Sequence, residues 1–263
     1  MRTTVATARQ IVVKVGTSCL AAEGSGLSVD RINTLVDVLA VRRAQPETQV
    51  TLVSSGAVAA GLAHLDIACP FDDAALMRRA AAGIGQGMLV SCYAAAFSRY
   101  SQTVGQVLLT ADEVIHRADE TRRVLTQLLS RDVVPVVNEN DTGAARDQRF
   151  GDNDSLAAHL AILLRADVLI LLSDVDALYD APPSTPGASP VWSVHPSTQL
   201  PLSEGYASGS ADTGLGTGGI TSKVKAACAA AAAGIPVVLT SAKLAEGALS
   251  GDEVGTYFHP APF

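Results

Sequence analysis

The chain has 263 residues, of which 48% are hydrophobic and 17% are charged, and its formal net charge is −7. This composition is typical of a folded globular protein and excludes an intrinsically disordered chain. The negative charge also argues against binding to nucleic acid or to an anionic membrane surface, because both require a basic surface.

The four cysteines and the most apolar segments indicate the cellular compartment of the protein. Cys19, Cys69, Cys92 and Cys228 lie far apart without a Cys-x-x-Cys pair, so neither a zinc site nor a disulfide framework is expected. The chain opens without an apolar signal region, and its most apolar run, 156–172, is interrupted by charged residues. We therefore expect a soluble, cytoplasmic protein that does not span a membrane.

Continuous apolar runs and amphipathic runs alternate along the chain. The apolar runs predict strands at 11–15, 49–53, 104–109, 133–137, 168–172 and 236–239, with a short edge strand at 191–194. The segments between them predict helices at 29–44, 57–65, 72–100, 111–130, 154–164 and 221–233. Strands without polar alternation are typical of a parallel sheet that is covered on both faces. The pattern therefore predicts an α/β protein, a three-layer αβα sandwich around a mainly parallel sheet.

Polar residues follow four of the predicted strands, in the segments Lys14–Thr17, Ser54–Gly56, Asn138–Thr142 and Ser173–Asp176. One such ending is ordinary turn chemistry, because Asn, Asp, Ser and Gly favour turns for local reasons. Ligands of open α/β sheets, however, bind beyond the carboxyl ends of the strands. Four polar endings on the same side of the sheet therefore favour a ligand site.

A glycine-rich loop at 209–219 leads directly into the last predicted helix. Backbone N–H groups of such a loop, together with a helix N terminus, bind anions, and Lys223 adds a full positive charge. The loop is neither a Walker A sequence nor a dinucleotide-binding turn. The alternative interpretation is therefore a mobile loop that precedes a helix and binds no ligand. Lysine usage favours the anion site, since only four of the 19 basic residues are lysines and two of these are Lys14 and Lys223.

With these segments assembled, the chain resembles the amino acid kinase family. The resemblance is carried by Val12–Thr17, Val53–Gly61, Gly105–Thr110, Val134–Thr142, Phe150–Asp154, Leu171–Asp174 and Leu215–Lys223. The pairing of Asn-Glu-Asn-Asp with Gly-Asp-Asn-Asp resembles the members of the family that act on glutamate. The resemblance implies ATP-dependent phosphorylation of the side-chain carboxylate of L-glutamate to L-glutamyl 5-phosphate, the first step of proline biosynthesis.

The resemblance also implies roles for individual residues. The catalytic residues would be Lys14, Lys223 and Asp174, and we expect Asp174 to hold the two lysines in place. The nucleotide would be bound by Lys14, Ser173, Asp174, Thr217, Gly218, Gly219, Ile220, Thr221, Ser222 and Lys223. Glutamate would be bound by Ser55, Asn138, Asp141, Asp152 and Asn153.

The same resemblance implies the organisation and the partners of the protein. Residues 1–165 would form a substrate-binding lobe and residues 166–263 a nucleotide-binding lobe of one amino acid kinase domain, without the PUA domain that many members carry. ATP and Mg²⁺ are the expected cofactors. Asp154 is within reach of a magnesium ion, but we assign the metal no protein ligand. Feedback inhibition by proline and a homo-oligomer, a dimer or a tetramer, are also implied.

Two alternatives stay open at this point. The acceptor is acetylglutamate, aspartate, carbamate or UMP instead of glutamate, or the protein is a non-catalytic sensor of an amino acid or a nucleotide. No catalytic histidine is expected for a carboxylate acceptor, because a side-chain carboxyl with a pKa of about 4.3 is already ionised at neutral pH.

Overall fold

The computed structural model describes residues 2–21, 26–65, 73–143, 150–196 and 219–262. Its helices are α1 (Thr3–Ala6), α2 (Thr17–Leu20), α3 (Val29–Arg43), α4 (Ala57–Leu62), α5 (Ala74–Ser98), α6 (Ala111–Ile115), α7 (Ala118–Leu129), α8 (Asn153–Leu164), α9 (Ile220–Ala232) and α10 (Ala245–Ser250). Its strands are β1 (Gln10–Val15), β2 (Gln49–Ser54), β3 (Thr103–Leu109), β4 (Val133–Glu139), β5 (Val168–Ser173), β6 (Leu178–Tyr179), β7 (Pro190–Val191), β8 (Ser193–Val194), β9 (Val237–Ser241) and β10 (Thr256–Phe258).

Eight of these strands form one sheet in the order β3-β4-β2-β1-β5-β9-β10-β8, and β6 pairs with β7 separately. All neighbours in the large sheet are parallel except β9 and β10. All six residues of β5 are buried, as are five of the six in β1 and in β2, because helices cover both faces. The predicted αβα sandwich is therefore confirmed.

Alternate residues of the central strand β1 point to opposite helical layers. Ile11, Val13 and Val15 pack in the same cluster as α3 and α5, whereas Val12 packs with α8 and α9. Lys14 follows Val12 with the same parity and therefore points towards α8 and α9. The pleat of one strand thus directs a buried lysine into one layer.

Two predicted elements differ from the structure. The helix predicted over 111–130 is two helices, α6 and α7, which are separated at His116 and Arg117. The edge strand predicted at 191–194 is divided between β7 and β8, which belong to different sheets. The short elements α1, α2, β6 and α10, together with the antiparallel strand β10, were not predicted, because so few residues carry no readable period.

Helix α5 is long and apolar enough to cross a membrane by length and composition alone. Leu89, Tyr93 and Phe97 of this helix are completely buried in the core cluster that also contains α3 and β1. The apolar side chains of α5 therefore pack inside the protein, against the sheet.

Helices α4 and α5 are in backbone contact at two glycines, Gly61 and Gly85. A Cβ at Gly85 would lie 1.8 Å from the carbonyl oxygen of Ala57, and one at Gly61 would lie 1.8 Å from that of Ala81. The contact is reciprocal, with small residues four positions apart on each helix. The backbones can approach this closely only because neither glycine carries a side chain.

Gly85→Ala is expected to destabilise the protein by about 3 kcal/mol, because one methyl group must force two backbones apart. Gly87→Ala is the matched control on the same helix, since a Cβ there meets nothing within 4 Å. The control should be neutral or stabilising by about 0.5–1 kcal/mol. Denaturant unfolding measures both free energies, and equal effects would contradict the close contact.

Candidate functional site

Three charged side chains meet at the carboxyl end of β1. Oδ1 of Asp154, in the first turn of α8, lies 2.5 Å from Nζ of Lys14, and Oδ2 lies 3.2 Å from Nζ of Lys223. The hydroxyl of Ser222 donates a hydrogen bond to the same Oδ2 at 3.0 Å. One carboxylate therefore joins β1, α8 and α9, three elements that are far apart in the sequence.

This charged cluster is withdrawn from solvent, with exposures of 4% for Lys14, 8% for Lys223 and 0% for Asp154. Burial opposes ionisation of Asp154, but attraction by the two ammonium groups outweighs burial, so the pKa of its carboxyl lies below the ordinary value. Burial also lowers the pKa of Lys14, although the charge of Asp154 opposes this shift. Two ammonium groups and one carboxylate leave one positive charge, which favours an anionic ligand.

The hypothesis that Asp174 holds the two lysines is wrong. Asp174 is exposed directly after β5, where its Oδ1 accepts a hydrogen bond from the hydroxyl of Ser173 at 3.0 Å. The bridging carboxylate is Asp154, because α8 packs across β1 on the side to which Lys14 points. A carboxylate at the N terminus of α8 is also stabilised by the helix dipole.

Because burial lowers the pKa of Lys14, we expect kcat to fall at alkaline pH if catalysis uses the ammonium form of this residue. The charged form is lost as the pH rises through a pKa that lies below the ordinary lysine value of 10.5. Asp154→Asn removes the charge that favours the ammonium form and should move this fall to lower pH. The pH dependence of kcat for both proteins tests this, and a fall of the wild-type kcat at or above the ordinary value would contradict it.

A second polar cluster adjoins the charged one through Asn153, the neighbour of Asp154 in α8. The amide Nδ2 of Asn153 donates to the hydroxyl of Ser55 at 2.9 Å and to Oδ1 of Asn138 at 2.8 Å. Ser55 follows β2 and Asn138 lies near the end of β4. Three of the residues predicted to bind substrate are thus brought together by the carboxyl ends of neighbouring strands.

The other two predicted substrate residues lie on either side of this cluster. Asp141, in the turn after β4, lines a cavity of about 280 Å³ together with Asn138. Asp152 caps α8, with its carboxylate accepting from the backbone N–H of Ser155 at 2.7 Å and from the hydroxyl of Ser155 at 3.1 Å. Asp152 thus has a structural role in starting the helix that carries Asn153.

The predicted nucleotide residues lie at the ends of β5 and α9 as far as the structure describes them. Ser173 is buried at the end of β5, and Gly219 precedes α9 with open space where a Cβ would be. Ile220, Thr221 and Ser222 form the first turn of α9. Thr217 and Gly218, with most of the glycine-rich loop, lie outside the described residues, so the phosphate loop stays a prediction.

Sequence reasoning missed two features of the site. Asp154 was expected only to lie near a magnesium ion. The motif Gly-Asp-Asn-Asp contains two acidic residues, however, and the helix cap needs only Asp152. The hydroxyl of Tyr93, on α5, lies 2.8 Å from the hydroxyl of Ser54, the residue before Ser55. No sequence signal connected a tyrosine in an apolar helix with a serine at the end of a strand.

Comparison with known proteins gives the family. The family model described as the amino acid kinase family matches residues 9–241. A Streptomyces avermitilis protein named glutamate 5-kinase is 54% identical over 258 residues, which is 97% of this chain and 68% of that protein. A Clavibacter sepedonicus protein of the same name is 46% identical and is covered over 97% of its length, with 98% of this chain.

A solved structure of carbamate kinase from Giardia lamblia bound to AMP-PNP shares the fold. Its TM-score is 0.67 at 18% identity, with 96% of this chain and 99% of that chain covered. This likeness shows the fold, and the family model that matches residues 9–241 covers more than half of the chain. The chain belongs to the amino acid kinase family.

Proposed function

We propose that this protein transfers the γ-phosphoryl group of ATP to the side-chain carboxylate of L-glutamate. The observation that carries the proposal is the meeting of Lys14 and Lys223 on Asp154, directly beside the Asn153–Ser55–Asn138 cluster. Relatives named glutamate 5-kinase at up to 54% identity support glutamate as the acceptor. The product is L-glutamyl 5-phosphate, which is the start of proline biosynthesis.

The reaction needs no general base. A carboxylate oxygen of glutamate forms a bond to the γ-phosphorus while the bond from that phosphorus to the bridging oxygen of ADP breaks. The acceptor is ionised at neutral pH, since its reference pKa is about 4.3. The difficulty is the approach of an anion to a triphosphate, so positioning and charge neutralisation supply the catalysis.

In this proposal Lys14 and Lys223 contact the phosphates and neutralise the charge that develops during transfer. Asp154 holds both ammonium groups in place, and its charge favours the ammonium form of Lys14. Ser55 and Asn153 hold glutamate, and Asp141 binds its amino group. Asp174 and Ser173 contact the nucleotide from the end of β5.

Mg²⁺ accompanies ATP in this proposal and supplies positive charge on the phosphates. Among the described residues, no group of three or more His, Cys, Asp or Glu side chains could hold a metal ion. Mg²⁺ usually keeps several waters and is bound largely by substrate phosphates, so the proposal assigns it no protein ligand.

The order of the sheet supports a division into two lobes. Strands β3, β4, β2 and β1 belong to the proposed substrate-binding lobe, 1–165, and β5, β9, β10 and β8 to the proposed nucleotide-binding lobe, 166–263. We also propose a cytoplasmic location, a homo-oligomer and feedback inhibition by proline. Light scattering of the purified protein and assays with added proline test the last two.

The experiment that tests the activity measures ADP release while hydroxylamine traps the acyl phosphate as a hydroxamate. Glutamate-dependent formation of both products in equal amounts is the expected result. Parallel reactions with acetylglutamate, aspartate, carbamate and UMP test other acceptors. Faster turnover of one of these would replace glutamate as the substrate, and no turnover of any of them would favour a non-catalytic sensor.

Asn153→Ala should raise the KM for glutamate about 10-fold or more, because Nδ2 of Asn153 positions the hydroxyl of Ser55 and a hydrogen bond from that hydroxyl to a charged group is worth about 1.5–3 kcal/mol. Asp141→Asn should have a similar effect through loss of an ion pair with the amino group. The KM for ATP should change little in both variants. Initial-rate kinetics with each substrate varied tests this, and loss of ATP affinity with unchanged glutamate affinity would reverse the assignment of the two subsites.

A further inference from the structure

A chain of side-chain amides runs from Asn153 towards α5, and one backbone group fixes its direction. The backbone N–H of Glu139 donates to Oδ1 of Asn138 at 2.9 Å and to Oδ1 of Asn153 at 3.3 Å. Since both oxygens are thereby assigned, the Nδ2 groups of Asn138 and Asn153 must be donors. A flipped Asn138 would turn its NH₂ group towards this N–H group, and a flipped Asn153 would turn its oxygen towards Oδ1 of Asn138, which accepts from Nδ2 of Asn153 at 2.8 Å.

The chain of amides ends at Gln86, on α5. The Nδ2 group of Asn138 donates to Oε1 of Gln86 at 2.9 Å, which assigns that oxygen as well. Nε2 of Gln86 is then left with two hydrogens, and the described residues offer it no hydrogen-bond partner. Gln86 is only 7% exposed. A buried donor without a partner costs about 1–3 kcal/mol, so its retention calls for a ligand that completes it.

Gln86 lines the cavity of about 280 Å³ that also contains Asn138, Asp141 and Gln106. Two amide side chains, those of Asn138 and Asn153, separate Gln86 from the charged cluster at Asp154. Gln86 therefore lies at the end of the site away from the lysines. In the same cavity, the carboxylate of Asp141 suits an ammonium group.

We propose that Gln86 is a specificity-determining residue, whose Nε2 donates a hydrogen bond to the α-carboxylate of the acceptor amino acid. The inference rests on the proposed function and extends it. An amino acid with two carboxylates has only two groups that accept hydrogen bonds strongly, and the reacting carboxylate must lie at the lysines. The donor of Gln86 is thus matched to the other carboxylate, while Asp141 pairs with the ammonium group beside it.

The test compares L-glutamate with its α-amide, which keeps the reacting carboxylate and replaces the other one by an uncharged group. Gln86→Glu retains the oxygen that accepts from Asn138 but replaces the free donor by an oxygen. We expect the preference for glutamate over the α-amide, measured as the ratio of kcat/KM values, to fall about 10- to 100-fold. The KM for ATP should stay within about twofold of the wild-type value, because a binding group remote from the phosphates should leave ATP affinity nearly unchanged.

Gln106→Glu is the matched control, because it adds the same negative charge at the wall of the same cavity from an exposed position. An equal fall in preference in this control would show a general effect of charge and would overturn the assignment. A purely structural role of Gln86 would lower kcat/KM for both substrates equally, and that result would overturn it too.

Gln86→Met covers the case in which a buried carboxylate at this position prevents folding. It removes the donor, together with the oxygen that accepts from Asn138, with little change in shape, and the preference for glutamate should again fall about 10-fold or more. An unchanged preference in a folded Gln86→Met variant would overturn the inference and leave the proposed function intact. A wild-type protein that phosphorylates neither substrate would instead overturn the proposed function and this inference together.

Discussion

Replacing Asp154 by asparagine is expected to lower the free energy of unfolding by about 3–5 kcal/mol, the cost of removing one partner from a buried ion pair. Two ammonium groups that are 4% and 8% exposed would then face each other without a counter-charge. Turnover should fall about 100-fold or more, because the lysines would separate and a misplacement of about 1 Å has that effect. Thermal unfolding and initial-rate assays measure the two losses.

The same variant should respond more strongly to ATP than the wild type does. Phosphate oxygens replace the missing carboxylate as the counter-charge, so ATP should raise the melting temperature of Asp154→Asn by more than that of the wild type. The contribution of Asp154 also has a defined pH window. Its folded pKa lies below the ordinary value of 3.8, so this stabilisation is present above that value and is lost as the pH falls through the lower folded pKa.

Asp174→Asn is the control that separates the two carboxylates. Asp174 is exposed, and its described hydrogen bond is to the neighbouring Ser173, so its replacement should change the free energy of unfolding by no more than about 0.5 kcal/mol. A larger loss of stability in Asp174→Asn than in Asp154→Asn would contradict the central position of Asp154.

Lys223→Ala is expected to lower kcat about 100- to 1000-fold while the KM for glutamate changes little. The ammonium group acts on charge that develops on the transferring phosphoryl group, and removal of one such stabilising group has effects of this size. Equal losses in kcat and in glutamate affinity would count against this role.

Lys225→Ala provides the comparison for that experiment. Lys225 lies two residues further along the same helix, α9, but is exposed where Lys223 is buried against Asp154. The substitution removes the same charge and the same helix-forming side chain and should leave kcat within about twofold of the wild-type value. A fall in kcat as large as that of Lys223→Ala would indicate a non-specific effect of net charge.

The sequence allowed the sheet and most helices to be predicted, because runs such as 168–172 are continuously apolar and their period leaves little choice. The position of Lys14 at a strand end could be predicted for the same reason. The choice between Asp154 and Asp174 could not, because both are acidic residues at the end of a predicted element and no local pattern shows which of them is buried. Only the packing of α8 across β1 decides which of them is buried.

Gln86 shows the same limit more strongly. In the sequence it is one polar residue inside a long apolar helix. The orientation of its amide depends on Asn138 and on the backbone N–H of Glu139, which lie in β4, far from α5 in the sequence. The contact of Gly61 with Ala81 that fixes α5 against α4 is likewise a tertiary feature. Local propensity carries no information about either contact.

The place of β1 in the middle of the sheet has a consequence for the synthesis of the chain. β1 leaves the ribosome well before its partner β5, because paired residues such as Ile11 and Val168 lie far apart in the sequence. Parallel pairing over such a distance closes a long loop and is slow to form. A nascent chain paused before residue 168 would therefore expose one unpaired edge of an apolar strand, the kind of surface that chaperones cover and that otherwise aggregates.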